Sequence, residues 1–251
     1  MFIGISQNSF QASFASNDDC KAYLFKLKWS NGYSCKQCGN SNAIRGRTNF
    51  HKRCSLCKYD ESSTAHTLFH KIKIPLYKAF GILFKISARK KGMSTVEISK
   101  EFGINQKTAW LLKRKSQEGI KSLIQPKENK ITLKKHKIHI SINSQSNKKK
   151  CISNGQNWKR AKNAHIKRAI KKISFQSRES NILIINSLHW LRGIHHICSI
   201  KFLHDYVFEY LYRHYIRKEA ENALHFLIRS MVRCRPYMYR SKAFYVDNHI
   251  N

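Results

Sequence analysis

The chain has 251 residues, 41% hydrophobic and 12% aromatic, with 48 Lys and Arg against 14 Asp and Glu, a formal net charge of +34. That much apolar material can bury cores, which excludes a disordered basic tail, and the length admits one large domain or two to three small ones. Such a charge excess makes a compact protein repel itself unless phosphates neutralise it, so nucleic acid is the expected partner. A membrane span is excluded: the most apolar stretch, Ile74 to Ile86, is broken by Lys78 and Lys85.

Residues 1–16 lack the basic start and apolar run of an export signal, which points to a reducing cytoplasm. Asn17-Asp18-Asp19 then reads as a helix start, with Ala22, Leu24, Phe25 and Leu27 on an amphipathic helix that leads to Trp29. Two Cys-x-x-Cys pairs follow, Cys35/Cys38 and Cys54/Cys57, with fifteen residues between them. A two-residue gap lets a tight knuckle turn aim both sulfurs of a pair at one point, and two such pairs make the tetrahedral thiolate set of a structural Zn2+ site in a zinc ribbon. A disulfide or free thiols are the alternatives, and a reducing compartment favours metal. Gly32, Gly39 and Asn40 supply turn chemistry, while Lys36, Lys52, Arg53 and Lys58 offset the negative charge of four thiolates. Cys20, Cys151, Cys198 and Cys234 lack ligand spacing and read as buried or incidental.

Beyond a polar break at Ser62-Ser63-Thr64, Pro75 opens a helix carrying Phe80, Leu83, Phe84 and Ile86, ended by Gly92. Ser94 and Glu97 form a capping box for a second helix, with Val96, Ile98 and Phe102 directed inward, and Gly103 supplies the turn. Asn105 caps a third helix that turns Ala109 and Leu112 inward. This is the spacing of a helix-turn-helix, whose second helix offers its first residues to the major groove. Gln106, Lys107 and Thr108 would contact base edges or phosphates, with Lys113 and Arg114 on the backbone. An ordinary helical hairpin has the same local pattern; the preceding cysteine pairs and the net charge favour DNA.

Pro126 marks a boundary. Ile131, Leu133, Ile138, Ile140 and Ile142 partly alternate as strands do, Trp158 to Ile173 suits a basic helix, and Ile182 to Leu191 regains an apolar rhythm. Two further helices carry Phe202, Tyr206, Phe208, Tyr210, Leu211 and Tyr215, then Ala223, Phe226, Leu227 and Met231, as stripes that read as core. The expected fold class is α+β, divided into an N-terminal helix (1–28), a zinc ribbon (29–62), a helix-turn-helix segment (63–126) and a C-terminal domain (127–251).

The stretch from Lys28 to Gly39, the pair Cys54-Ser55-Leu56-Cys57, and Thr64-Ala65-His66-Thr67-Leu68-Phe69-His70-Lys71 resemble the front end of bacterial zinc-ribbon insertion-sequence transposases. Lys107-Thr108-Ala109-Trp110 resembles the motif ending that family's helix-turn-helix. The run from Trp190 to His196, with Tyr206, Glu209 and Arg213, resembles its closing helices. The resemblance covers roughly residues 20–115 and 180–235. It implies an RNase H-like α/β catalytic domain after the DNA-binding part, binding to double-stranded terminal inverted repeats, and compatibility with a homo-oligomer on DNA. It also implies Mg2+-dependent strand cleavage and transfer, through two Asp and a third Glu or Asn that clamp paired metal ions.

The middle departs from that pattern. Residues 129–178 hold no Asp or Glu but fifteen Lys or Arg, so both family Asp positions are missing and the local charge repels Mg2+. Asn186 fits the family's third catalytic position. Glu209 matches a family Glu, although an ion pair with a neighbour such as Arg213 accounts for it as well. The expectation is therefore a DNA-binding remnant with an incomplete RNase H-like domain, against the alternative of a working transposase that draws on Glu128, Glu179, Asn186 and Glu209.

Overall fold

A computed structural model describes residues 7–89, 91–124, 132–133, 136–137, 186–187, 189–191, 193–194, 202–215 and 223–237. The fold is α+β. Helix α1 (Gln7–Ser13) and α2 (Asn17–Lys28) precede a three-stranded antiparallel sheet of β1 (Ala43–Arg45), β2 (His51–Cys54) and β3 (Asp60–Ser62) in the order β1-β2-β3. Then come α3 (Leu76–Ala88), α4 (Thr95–Phe102), α5 (Gln106–Ile124), the hairpin of β4 (Thr132–Leu133) and β5 (His136–Lys137), α6 (Leu203–Tyr215) and α7 (Ala223–Arg233).

The chain forms two compact units, residues 1–123 with 211–251, and residues 124–210. The sequence division at 126 placed the whole tail in the C-terminal domain, whereas by packing residues 211–251 group with 1–123. In the first unit the tail closes the N-terminal core. The Met231 carbonyl accepts from the Leu68 N–H, Ser230 Oγ donates to the Gly119 carbonyl, and Tyr23 Oη meets His225 Nδ1 at 2.6 Å. A β-carbon on Gly119 would lie 2.6 Å from Met231 Cγ, so the missing side chain is what lets α5 and α7 approach. Arg213 is buried and donates to the Ile86 carbonyl. No local pattern links these segments across more than a hundred residues.

Sequence chemistry sets the helix ends. Ser16 caps α2, accepting from the Asp19 N–H while the Asp19 carboxylate accepts from the Ser16 N–H. Pro75 has no capping side chain, and Asn17 Oδ1 serves α3 instead, accepting from the Leu76 N–H at 2.7 Å. Ser94 and Glu97 form the expected capping box on α4, and Gly103 ends that helix at φ 59°. Asn105 Oδ1 then accepts from the Lys107 N–H at 2.8 Å, starting α5 as expected.

Ala79, Ile82 and Ile86 of α3, Met93, Ile98 of α4, and Ala109 and Leu112 of α5 make one buried cluster, with Phe102 and Ile104 against it. Val96 is an exception to the inward set: it is 46% exposed, because the core stripe of α4 runs through Ile98. An aromatic group, Phe10, Phe14, Tyr23, Phe69, Phe80 and Phe84, joins α1, α2 and α3.

Between α2 and the sheet lies a buried ion pair. Lys28 Nζ is 2.7 Å from Glu61 Oε1 and donates to the Ser62 and Ala65 carbonyls. Burial pulls the Lys28 ammonium below the ordinary lysine range, and Glu61 opposes that shift. Glu61→Ala is expected to destabilise the first unit by about 3–5 kcal/mol, since it leaves a buried ammonium without its counter-charge. Denaturant unfolding measures this, and Glu61→Gln should cost less.

In the second unit, Leu191 and Tyr206 are buried with Trp190 and Phe202 against them, and Trp190 packs on Tyr210 with ring centroids 5.9 Å apart. These aromatics are core, as their stripes suggested. The expected helix from Trp158 to Ile173, most of the strands after Ile131, and Glu128, Glu179, Cys151 and Cys198 lie outside the described residues.

Candidate metal centre

Two turns of equivalent conformation present the four cysteines. In the first, the Gly39 N–H donates to the Cys35 carbonyl, and the Cys35 N–H donates to the Asn40 carbonyl. In the second, the Cys54 N–H donates to the Tyr59 carbonyl. The residue after each second cysteine is left-handed: Gly39 at φ 74° and Lys58 at φ 61°. Lys58 carries the steric cost of that conformation, and its ammonium donates to the Ser55 carbonyl at 2.7 Å. The strand register fixes the turns relative to each other, because Ala43 pairs with Cys54 and Arg53 with Asp60. Gly46 lies at the β1–β2 turn where any β-carbon would fall 2.3 Å from Asp60 Oδ1.

All four sulfurs lie within 4.8 Å of one another, with Cys35–Cys57 and Cys38–Cys54 at 3.5 Å. A zinc ion with sulfurs at about 2.3 Å in a tetrahedron sets them about 3.8 Å apart, so the group fits such an ion. The four cysteines can hold a metal ion.

The surroundings favour thiolate at Cys54 and Cys35. Burial acts to raise the Cys54 thiol, but N–H groups of Cys57 and Leu56 and the Asn40 amide outweigh it and bring Cys54 down to about 6. Cys35 is lowered as well: burial opposes, while the N–H groups of Cys38 and Gln37 prevail. The Tyr59 N–H favours the Cys57 thiolate, yet loss of water and three sulfur neighbours push Cys57 up to about 12. A divalent ion would favour the thiolate form and so oppose the upward shift of Cys57.

Of the cations expected to offset the cluster's charge, Lys36 and Lys58 are exposed and Arg53 is half-buried. Lys52 does something else. Its ammonium sits over Phe25, Trp29 and Tyr33, at 5.7, 5.4 and 5.9 Å from the ring centroids, and so pins the sheet to α2. Tyr33, Cys35 and Cys54 are themselves a small buried core, with Trp29, Ala43, Cys57 and Tyr59 against it. Cys20 is buried in α2, and loss of water pushes its thiol up to about 12, consistent with a packing role.

On α5, Gln106 and Lys107 are exposed and Thr108 is half-buried. Lys113 and Arg114, expected on the DNA backbone, are only 1% and 2% exposed. Lys113 lies one turn beyond the buried Ala109, on the core stripe, and its ammonium donates to the Met93 carbonyl. The Arg114 guanidinium lies 5.4 Å over the Trp110 ring. Periodicity accounts for Lys113, whereas Arg114 lies on the opposite side of α5 and is buried by packing that its spacing does not indicate.

The two expected catalytic residues differ in exposure. Asn186 is exposed on a short helical turn, whereas Glu209 on α6 has no exposed surface. Among the described residues, the four cysteines are the only group of three or more Cys, His, Asp or Glu close enough to share an ion, so Glu209 belongs to none. No helix among the described residues is long and apolar enough to cross a membrane. No protein-family model, curated protein or solved structure matches the chain.

Proposed function

We propose that this chain is a zinc-ribbon, helix-turn-helix protein that grips duplex DNA, descended from insertion-sequence transposases and stripped of strand cleavage and transfer. The observation that carries the reading is the placement, within one compact unit of a chain of net charge +34, of a four-cysteine metal site and of a capped two-helix turn with Gln106 and Lys107 exposed at the start of α5. Zinc is the ion of this reading because four thiolates are its preferred structural set. The DNA is the terminal inverted repeat of the element, and the protein works in the cytoplasm at the nucleoid, where a homo-oligomer could bridge two element ends.

Two observations support loss of catalysis. Residues 129–178 contain no carboxylate and fifteen Lys or Arg, and paired Mg2+ ions need hard oxygen ligands from several side chains. Glu209, part of the active-transposase alternative, is fully buried. Strand cleavage is tested by incubating the purified protein with duplexes carrying the inverted repeats that flank its gene, with Mg2+ or Mn2+. Binding without cleavage or joining is expected. Strand transfer that a chelator abolishes and Mg2+ restores would establish the alternative.

A further inference from the structure

We propose that Leu111 reads a thymine methyl group in the major groove and so sets an A·T preference at one position of the bound site; this rests on the duplex-DNA reading above. Leu111 is 36% exposed near the start of α5, where Ala109 and Leu112 pack on the core; one turn on, Arg114 and Lys115 on its own side are buried, so the open face ends at Leu111. An exposed leucine has no role in that core.

Its position on α5 is what matters. Lys107 and Leu111 are four residues apart and therefore share a face, with exposed Gln106 at the head of the same helix. A recognition helix enters the groove with this first turn and a half. Leu111 stands about 7.5 Å along the axis from Gln106, which is about two base-pair steps. Lys107 can take a phosphate and Gln106 can donate to and accept from an adenine edge, while an apolar group there matches the thymine C5-methyl. Trp110 is the other large side chain on this stretch, but it is half-buried and the Arg114 guanidinium covers its ring.

The carboxylates of the neighbouring helix are paired with cations. Glu97 pairs with Arg89 at 3.5 Å, and Glu101 pairs with Arg89 at 3.1 Å and with Lys85 at 3.2 Å. The carboxylates of α4 are thus engaged by α3 and the residue after it. The positive charge at Lys107 makes DNA the matching occupant of the leucine face.

The test selects duplexes from a library randomised over about 20 base pairs with the full chain. Each thymine of the selected duplex is then replaced in turn by uracil, which removes only the methyl group. The wild-type protein should lose about fourfold in affinity at one position, the worth of one methyl taken out of water. Leu111→Ala should bind the thymine and uracil duplexes equally there. Retained discrimination in Leu111→Ala, or none in a wild-type protein that still binds duplexes, overturns the assignment. So does a change of oligomeric state in Leu111→Ala with discrimination intact, which gives the leucine to a second copy of the chain. Failure of the wild-type protein to select any duplex overturns this proposal and the DNA-binding function together.

Discussion

Cys54→Ser is expected to abolish zinc binding and unfold residues 29–66, with metal content falling from one ion per chain to near zero. The three strands contain only ten residues, and the local core is Tyr33, Cys35 and Cys54. So little apolar burial cannot hold a sheet by itself; in small metal modules the binding energy, about 10–16 kcal/mol for structural zinc, is also the folding energy. Cys54 is the most consequential of the four to replace. Its sulfur lies 3.5 Å from Cys38 and accepts from the Asn40 amide, and it is fully buried. The damage should spread to the contacts of α2 with the sheet, where Lys52 leaves its three aromatic rings and Lys28 loses Glu61. Metal analysis with hydrogen exchange over residues 29–66 gives the readout. Cys20→Ser is the control: its thiol is buried in α2, away from the cluster, so that variant should keep its zinc. Full zinc content in Cys54→Ser would refute the ligand set.

The parts legible in the sequence are those set by short-range chemistry. The cysteine spacing located the metal site, Ser94 with Glu97 and Gly103 fixed the ends of α4, and Asn105 marked the start of α5. Each signal lies within a few residues of its effect. What escaped was set at long range or by periodicity. Asn17 caps a helix 59 residues away, and the tail closes the N-terminal core through Met231 against Gly119, neither of which leaves a local mark. Lys113 lies on the stripe of Ala109, Leu112 and Ser116, a signal stronger than its charge, whereas Arg114 falls on the opposite side of α5 and its burial leaves no local mark. Lys52 is similar: a cation in β2 suits both a thiolate cluster and an aromatic box, and only the packing of α2 decides between them.

The second large effect is in salt. With 48 Lys and Arg against 14 Asp and Glu, affinity for duplex DNA should fall about 1,000- to 100,000-fold between 50 and 200 mM salt, the range for proteins that neutralise about 6–10 phosphates. Two lysines on one helix should then behave differently. Lys107 is exposed, so Lys107→Ala should weaken binding to all sequences alike and flatten the dependence of log affinity on log salt by about one. Lys113 is buried with its ammonium on the Met93 carbonyl, so Lys113→Ala should leave that slope unchanged and lower folding stability instead, by about 1–3 kcal/mol from the unpaired carbonyl and lost stem packing. Fluorescence anisotropy over a salt series, beside denaturant unfolding of both variants, separates the two. If Lys113→Ala flattened the slope and Lys107→Ala did not, α5 would have to present a different face to DNA from the one that begins with Gln106.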